Sequence, residues 1–202
     1  GVAADLTSIT WKLLPGLMWS DGTPVTSEDV KFTWEYCTHP EGGCAQGAKY
    51  EGVSAVETPD PQTVVVKFAA PKPYPYQPFT GGTAPILQKA QFEQCLGAAA
   101  AGCAEPNSKP IGTGPFVVTD FKVNDVVVYA ANPNYRDPAK PAFATVTLKG
   151  GGDAQAAASA VMETGEFDYA WNTQINPELQ AQMAGGGKGV FINAFGTLVE
   201  RI

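Results

Sequence analysis

The run from Leu14 to Trp34, Leu-Pro-Gly-Leu-Met-Trp-Ser-Asp-Gly-Thr-Pro-Val-Thr-Ser-Glu-Asp-Val-Lys-Phe-Thr-Trp, constrains the fold more than any other stretch, because a strand, a tight turn and a capped helix must follow one another within it. Ser20-Asp21-Gly22 is a turn former: an Asp side chain bonds its own backbone two residues on, and glycine takes positive φ without a Cβ clash. Trp11 to Trp19 is the expected strand before the turn. Thr26 stands where an N-cap is wanted, Glu28 and Asp29 put negative charge on the first helical turn, and Asp29 holds the reciprocal position of a capping box. The helix is expected to start near Ser27.

A chain of 202 residues that is 44% hydrophobic can bury one or two modest cores. Its net charge of −7, with 13 scattered basic residues, argues against a nucleic-acid surface, which needs clustered Lys and Arg against phosphates. Glycine (22) and proline (17) are abundant but aperiodic, which suits turns and extended connections and excludes a collagen-like chain. No apolar run approaches the length of about 18 residues that a membrane-spanning helix needs. The start at Gly1-Val-Ala-Ala, with neither Met nor a basic leader, reads as a processed or cut chain.

The four cysteines form two local pairs, Cys37/Cys44 and Cys95/Cys103, each flanking a Gly- or Ala-rich loop. Of three connectivities, local pairing closes the shortest loops and is favoured, with free buried thiols as the alternative. A metal site fits least, because the spacings lack close Cys-x-x-Cys pairs and His39 is the single histidine. Disulfides imply export to an oxidising compartment.

Further along, Val53 to Thr58 and Thr63 to Phe68 read as a hairpin around Pro59-Asp-Pro-Gln62. Pro71 to Pro78 must be an extended connector, since each proline lacks an N–H and biases its predecessor to extended geometry. One reading makes it a polyproline ligand; the other makes it a loop whose tyrosines, Tyr74 and Tyr76, pack on the body. A short helix or two is expected over Ala84 to Gly97. A second hairpin follows, Gly114 to Phe121 with Asp125 to Ala130, ended by an Asn132-Pro-Asn-Tyr135 turn. The last third changes grammar: a strand over Phe143 to Leu148, Gly150-Gly-Gly-Asp153, an Ala-rich helix stopped at Gly165, and a strand over Phe167 to Trp171. That strand–helix–strand unit predicts parallel pairing. Asn176 to Met183 reads as a capped helix and Val190 to Asn193 as a strand, and no closing element is expected at Glu200 to Ile202.

The opening run resembles the family 5 extracellular solute-binding proteins, the peptide- and nickel-binding receptors of ABC importers, although Leu14 stands where that family carries a basic residue. Ile111-Gly-Thr-Gly-Pro-Phe116, Asn132-Pro-Asn-Tyr-Arg136, Gly150-Gly-Gly-Asp153 and Thr164-Gly-Glu-Phe-Asp-Tyr-Ala-Trp171 add ordered matches over roughly 13–172. The resemblance implies a mixed α/β, type II periplasmic-binding-protein-like lobe with an associated subdomain. On it, residues 1–110 are the subdomain, residues 111–202 belong to the first ligand-binding lobe, and the second lobe is absent. It further implies capture of a peptide or similar small solute, delivery to permease subunits, location in the periplasm or on the outer face of the membrane, no cofactor, and membrane attachment only through a lipid anchor outside this chain.

Chemistry-bearing residues are few. The Gly150–Asp153 turn lacks phosphate-loop spacing and a nearby base, so Asp153 is better used as a helix cap. Glu163, Glu166 and Asp168 surround a glycine stop and are expected to face solvent. With one histidine in a turn context, no nucleophile–base pair for a hydrolase is evident. The best ligand-binding candidates are Trp171 and Asn172, an aromatic face beside an amide with donors and acceptors, at what reads as the C-terminal end of an α/β strand. Tyr169 shares that strand face. The competing reading makes Trp171 a core residue and Asn172 the start of the next turn. The Phe79-Thr-Gly-Gly82 loop is a weaker cleft-edge candidate. Trp19 and Trp34 are expected to be packing residues. A surface interaction module built on Tyr74 and Tyr76 is the rival function.

Overall fold

The computed structural model describes residues 1–186 and 188–193, so the expectation at Glu200 to Ile202 lies outside the described residues. The chain divides into two compact units, Gly1–Lys149 and the residues from Gly150 onward.

In the first unit, β1 (Ser8–Lys12), β2 (Val53–Asp60) and β3 (Thr63–Phe68) form an antiparallel sheet in the order β1-β3-β2. The hairpin expected from the β-branched runs is therefore present, and β1 pairs with its far edge through Ile9 opposite Val66. The strand before the turn is shorter than expected. It stops at Lys12, ahead of Pro15 and Gly16, and only a single bridge joins Met18 to Pro24. Proline cannot donate to a ladder and Gly16 sits at φ 74, so the segment breaks there.

Helix α1 (Ser27–Thr38) lies against this sheet. Ile9, Val30, Val56, Val64, Val66 and Phe68 make the core, with Trp11 and Trp34 packed at its border. The Ser27 backbone N–H and hydroxyl donate to Pro61 O and Asp60 O, tying the helix start to the β2–β3 turn. Residues 84–108 follow as broken helical turns, including α2 (Lys89–Phe92) and α3 (Ala104–Ser108), and a second cluster of Phe32, Phe92 and Cys95 covers α1 from that side. Both local disulfides are formed: Cys37–Cys44 and Cys95–Cys103, with Cα atoms 4.9 and 5.8 Å apart.

Strands β4 (Phe116–Lys122), β5 (Val126–Ala131) and β6 (Thr145–Lys149) form a second antiparallel sheet in sequence order. Here the expected parallel pairing fails. β6 pairs antiparallel with β5, Tyr129 opposite Val146, and extends the hairpin instead of opening a strand–helix–strand crossover.

In the second unit, α4 (Ala154–Met162) and α5 (Pro177–Ala184) enclose Ala158, Met162 and Met183. Asp153 Oδ1 accepts from Ala156 N–H at 2.7 Å, and Asn176 Oδ1 accepts from Glu178 N–H at 2.8 Å, so both helix starts are capped as expected. Phe167 to Trp171 is not a strand, nor is Val190 to Asn193. Alternating aromatic residues are a strand signal, but a strand also needs a ladder, and among the described residues none pairs with either segment.

Candidate functional site

The most recognisable motifs converge on a structural junction within the first unit. Trp19 is buried at 2% exposure, and its indole N–H donates to Asp29 Oδ2 at 3.3 Å. That carboxylate also accepts from Thr26 N–H at 2.9 Å and the Thr26 hydroxyl at 3.3 Å, while its Oδ1 accepts from Lys89 N–H at 2.9 Å. A buried charge survives only with such saturation by donors, and the helix N-terminus adds favourable potential. Asp21 Oδ1 accepts from Thr23 N–H and hydroxyl, and its Oδ2 accepts from the buried Gln88 amide at 2.7 Å. Partial burial pushes the Asp21 carboxyl up, but the bonds from Thr23 and Gln88 outweigh it and hold it below its usual range. Ser20 N–H donates to Gly112 O at 2.9 Å, and the Asn134 amide donates to Ser20 O at 3.1 Å. The Asn132 amide in turn donates to Gly114 O at 2.7 Å. Thus the motifs at 19–26, 111–116 and 132–136 are spent on one another. Gly22, at φ 84, is the turn position that requires glycine, and a Cβ there would meet the Asn134 amide at 3.6 Å.

Trp171, Asn172 and Tyr169 lie in the second unit and are all exposed; Trp171 is 78% and Tyr169 72% accessible. Asn172 takes φ 54, the left-handed region its side chain tolerates, and so turns the chain immediately after the indole. The reading of Trp171 as a core residue does not hold, since Met162 and Met183 fill the small core instead. What the three residues offer is two aromatic faces and an amide that is unpaired among the described residues, a set that can stack on planar groups and bond a peptide backbone.

Other sequence candidates are used for packing. Phe79 lies against the buried Tyr50 ring, centroids 5.1 Å apart, while Thr80, Gly81 and Gly82 of the same loop are exposed. In the proline-rich connector two of the prolines pack on the body, and Tyr76 reaches it through Trp11. Pro75 and Pro78 are fully buried, whereas Tyr74 is 64% exposed and stacks edge-on with Tyr76, which in turn meets Trp11. Sequence reasoning missed a cavity of about 590 Å³ in the first unit, lined by Tyr36, Glu41, Tyr50 and Phe92 among others. The two short cysteine loops were its only sequence signal.

The model of the family described as bacterial extracellular solute-binding proteins, family 5 Middle, matches residues 1–197. A Brucella ovis protein provisionally named an ABC transporter peptide-binding protein is 31% identical over 170 residues, covering 84% of this chain and 31% of that protein. Among solved structures, the ABC transporter substrate binding protein CtaP of Listeria monocytogenes is similar with a TM-score of 0.76 and 26% identity, over 92% of this chain and 37% of that one. The oligopeptide-binding protein AppA of Bacillus subtilis, solved in complex with a nonapeptide, gives a TM-score of 0.73 and 26% identity, over 83% and 32%. The chain spans about a third of the length of these proteins. Its fold is mixed α/β and of the type II periplasmic-binding-protein class. With the family model matched along nearly the whole length and three of the ordered motifs joined in one junction, the chain belongs to the family 5 bacterial extracellular solute-binding proteins.

Proposed function

We propose that the protein containing these residues is the substrate-binding component of an ABC importer, which captures peptides outside the membrane and delivers them to permease subunits. Membership of an extracellular solute-binding family supports the receptor class, and the names of the relatives favour peptide as cargo. The single observation on this chain that carries the reading is the exposed set Tyr169, Trp171 and Asn172, large aromatic surface that the small core beside it does not use. In this account residues 1–110 form a subdomain and residues 111–202 contribute to the first ligand-binding lobe. Peptide binding shifts an open-to-closed equilibrium between lobes, and no covalent step is involved. The protein works in the periplasm or at the outer face of the membrane, and any membrane attachment is through a lipid anchor outside these residues.

Calorimetry with short peptides on the full-length protein tests this. Trp171→Ala should weaken binding by about 2 kcal/mol, roughly 30-fold, as for an aromatic anchor. It should leave thermal stability almost unchanged, because the side chain packs little. Peptide affinity insensitive to Trp171→Ala and Asn172→Ala would remove these residues from the site.

A second reading, a surface interaction module, rests on the exposed Tyr74–Tyr76 pair seated on Trp11. Loss of a protein partner on replacing both tyrosines by serine, with no peptide bound by the native protein, would favour it.

A further inference from the structure

The 590 Å³ cavity is built within residues 36–107, where the C-terminal end of α1 meets two disulfide-closed loops. Its size is in the range of small-molecule sites. One wall carries Tyr36, Leu87 and Phe92; another carries Ala100 and Ala101 of the loop closed by Cys95–Cys103. The Cys37–Cys44 bridge is part of the rim. The two loops are also docked on each other. The His39 ring covers Gly97, at φ 67, where a Cβ would come within 2.6 Å of the imidazole. His39 Nδ1 accepts from Glu41 N–H at 3.2 Å, which holds the Glu41 backbone at the cavity edge. Two cross-links and this contact fix the shape before any ligand arrives.

Tyr50 supplies the observation that points to an occupant. The residue is 2% exposed, it lines the cavity, and its hydroxyl has no hydrogen-bond partner among the described residues. The indole N–H groups of Trp11 and Trp34 are sealed from solvent without partners; the Tyr50 hydroxyl is not among such sealed atoms, and Tyr50 lines the cavity. Burial pushes this phenol up to about 12, so it stays neutral and able both to donate and to accept. Glu41 is the only charged residue of the lining, which contains no Lys or Arg. Gln46 and Asn107 add uncharged amides.

We propose that this cavity binds a small primary amine with an aromatic or branched aliphatic body. The ammonium pairs with the Glu41 carboxylate and donates to the Tyr50 hydroxyl, and the body lies against Tyr36, Leu87 and Phe92. A ligand carboxylate would find no cation here and would face Glu41, so amines are preferred to acids and to zwitterionic amino acids.

Ligand-observed NMR and calorimetry on the full-length protein, with phenethylamine and 3-phenylpropionate as probes, test the assignment. Phenethylamine should bind and 3-phenylpropionate should not at the same concentration. Glu41→Gln and Tyr50→Phe should each weaken the amine roughly fivefold, the scale of one partly exposed ion pair or one hydrogen bond. Tyr50→Phe keeps the ring in its tilted contact with Phe79, so its folding is not at risk. Trp171→Ala should leave amine affinity unchanged, which separates this site from the proposed peptide site. No amine binding, equal binding of the acid, amine affinity indifferent to both cavity substitutions, or its loss in Trp171→Ala would each overturn the proposal.

Discussion

Replacing Asp29 by alanine removes the one acceptor shared by three backbone or indole donors. Trp19, Thr26 and Lys89 each lose a bond of 2.9 to 3.3 Å. An unsatisfied buried donor costs about 1–3 kcal/mol. The Trp19 indole is almost fully buried, so its share falls near 2 kcal/mol on that scale. Thr26 and Lys89 are half-buried and water can partly replace the carboxylate, so about 1 kcal/mol each is appropriate. Asp29→Ala should therefore cost about 3–5 kcal/mol, measured by urea unfolding followed by circular dichroism. Asp29→Asn keeps one acceptor oxygen and should cost less. Because Trp19 and Asp29 are partners, Trp19→Phe should cost about 1–2 kcal/mol less in the alanine background than in the native protein. A loss below about 1 kcal/mol for Asp29→Ala, or full additivity with Trp19→Phe, would refute the view that the opening motif is held by this carboxylate.

Two further outcomes follow from the same geometry. Gly97→Ala forces left-handed backbone on a residue with a Cβ and drives that atom into the His39 ring, so it should destabilise by about 1–3 kcal/mol, with His39→Ala partly relieving it; an additive double variant would contradict the docking of the two loops. Asp21 is held low as already described, and Glu28 is held low chiefly by the Thr58 hydroxyl, with Lys89 adding to it. Since both carboxyls are lower folded than unfolded, their stabilisation is complete above the unfolded values near pH 4 and fades as pH falls through the folded ones. Asp21→Asn should flatten that acid limb of a stability–pH curve, and an unchanged limb would contradict the assignment.

Elements specified by neighbours in sequence were legible. Thr26 and Asp29 announced the start of α1, Asn176-Pro177 that of α5, and the cysteine spacings both disulfides. What joins the motifs was not legible, because Gln88 reaches Asp21 across 67 residues and Asn134 reaches Ser20 across 114. Periodicity also misled where a ladder decides. Phe167, Tyr169 and Trp171 alternate like a strand yet pair with nothing described, and Thr145–Lys149 joined the hairpin because β5 offered it a free antiparallel edge. Trp171 and Asn172 emerged exposed, while the cavity around Tyr50, assembled from three separated segments, had no local signature beyond its cysteine loops.

The central claim is that the whole protein is a peptide receptor. Mass spectrometry of the small molecules released on denaturing full-length protein purified from its native host tests it most directly, since a closed receptor retains cargo. Short peptides in near-stoichiometric amount are the predicted result. Recovery of a sugar or a metal chelate in their place, with no peptide bound on subsequent titration, would contradict it.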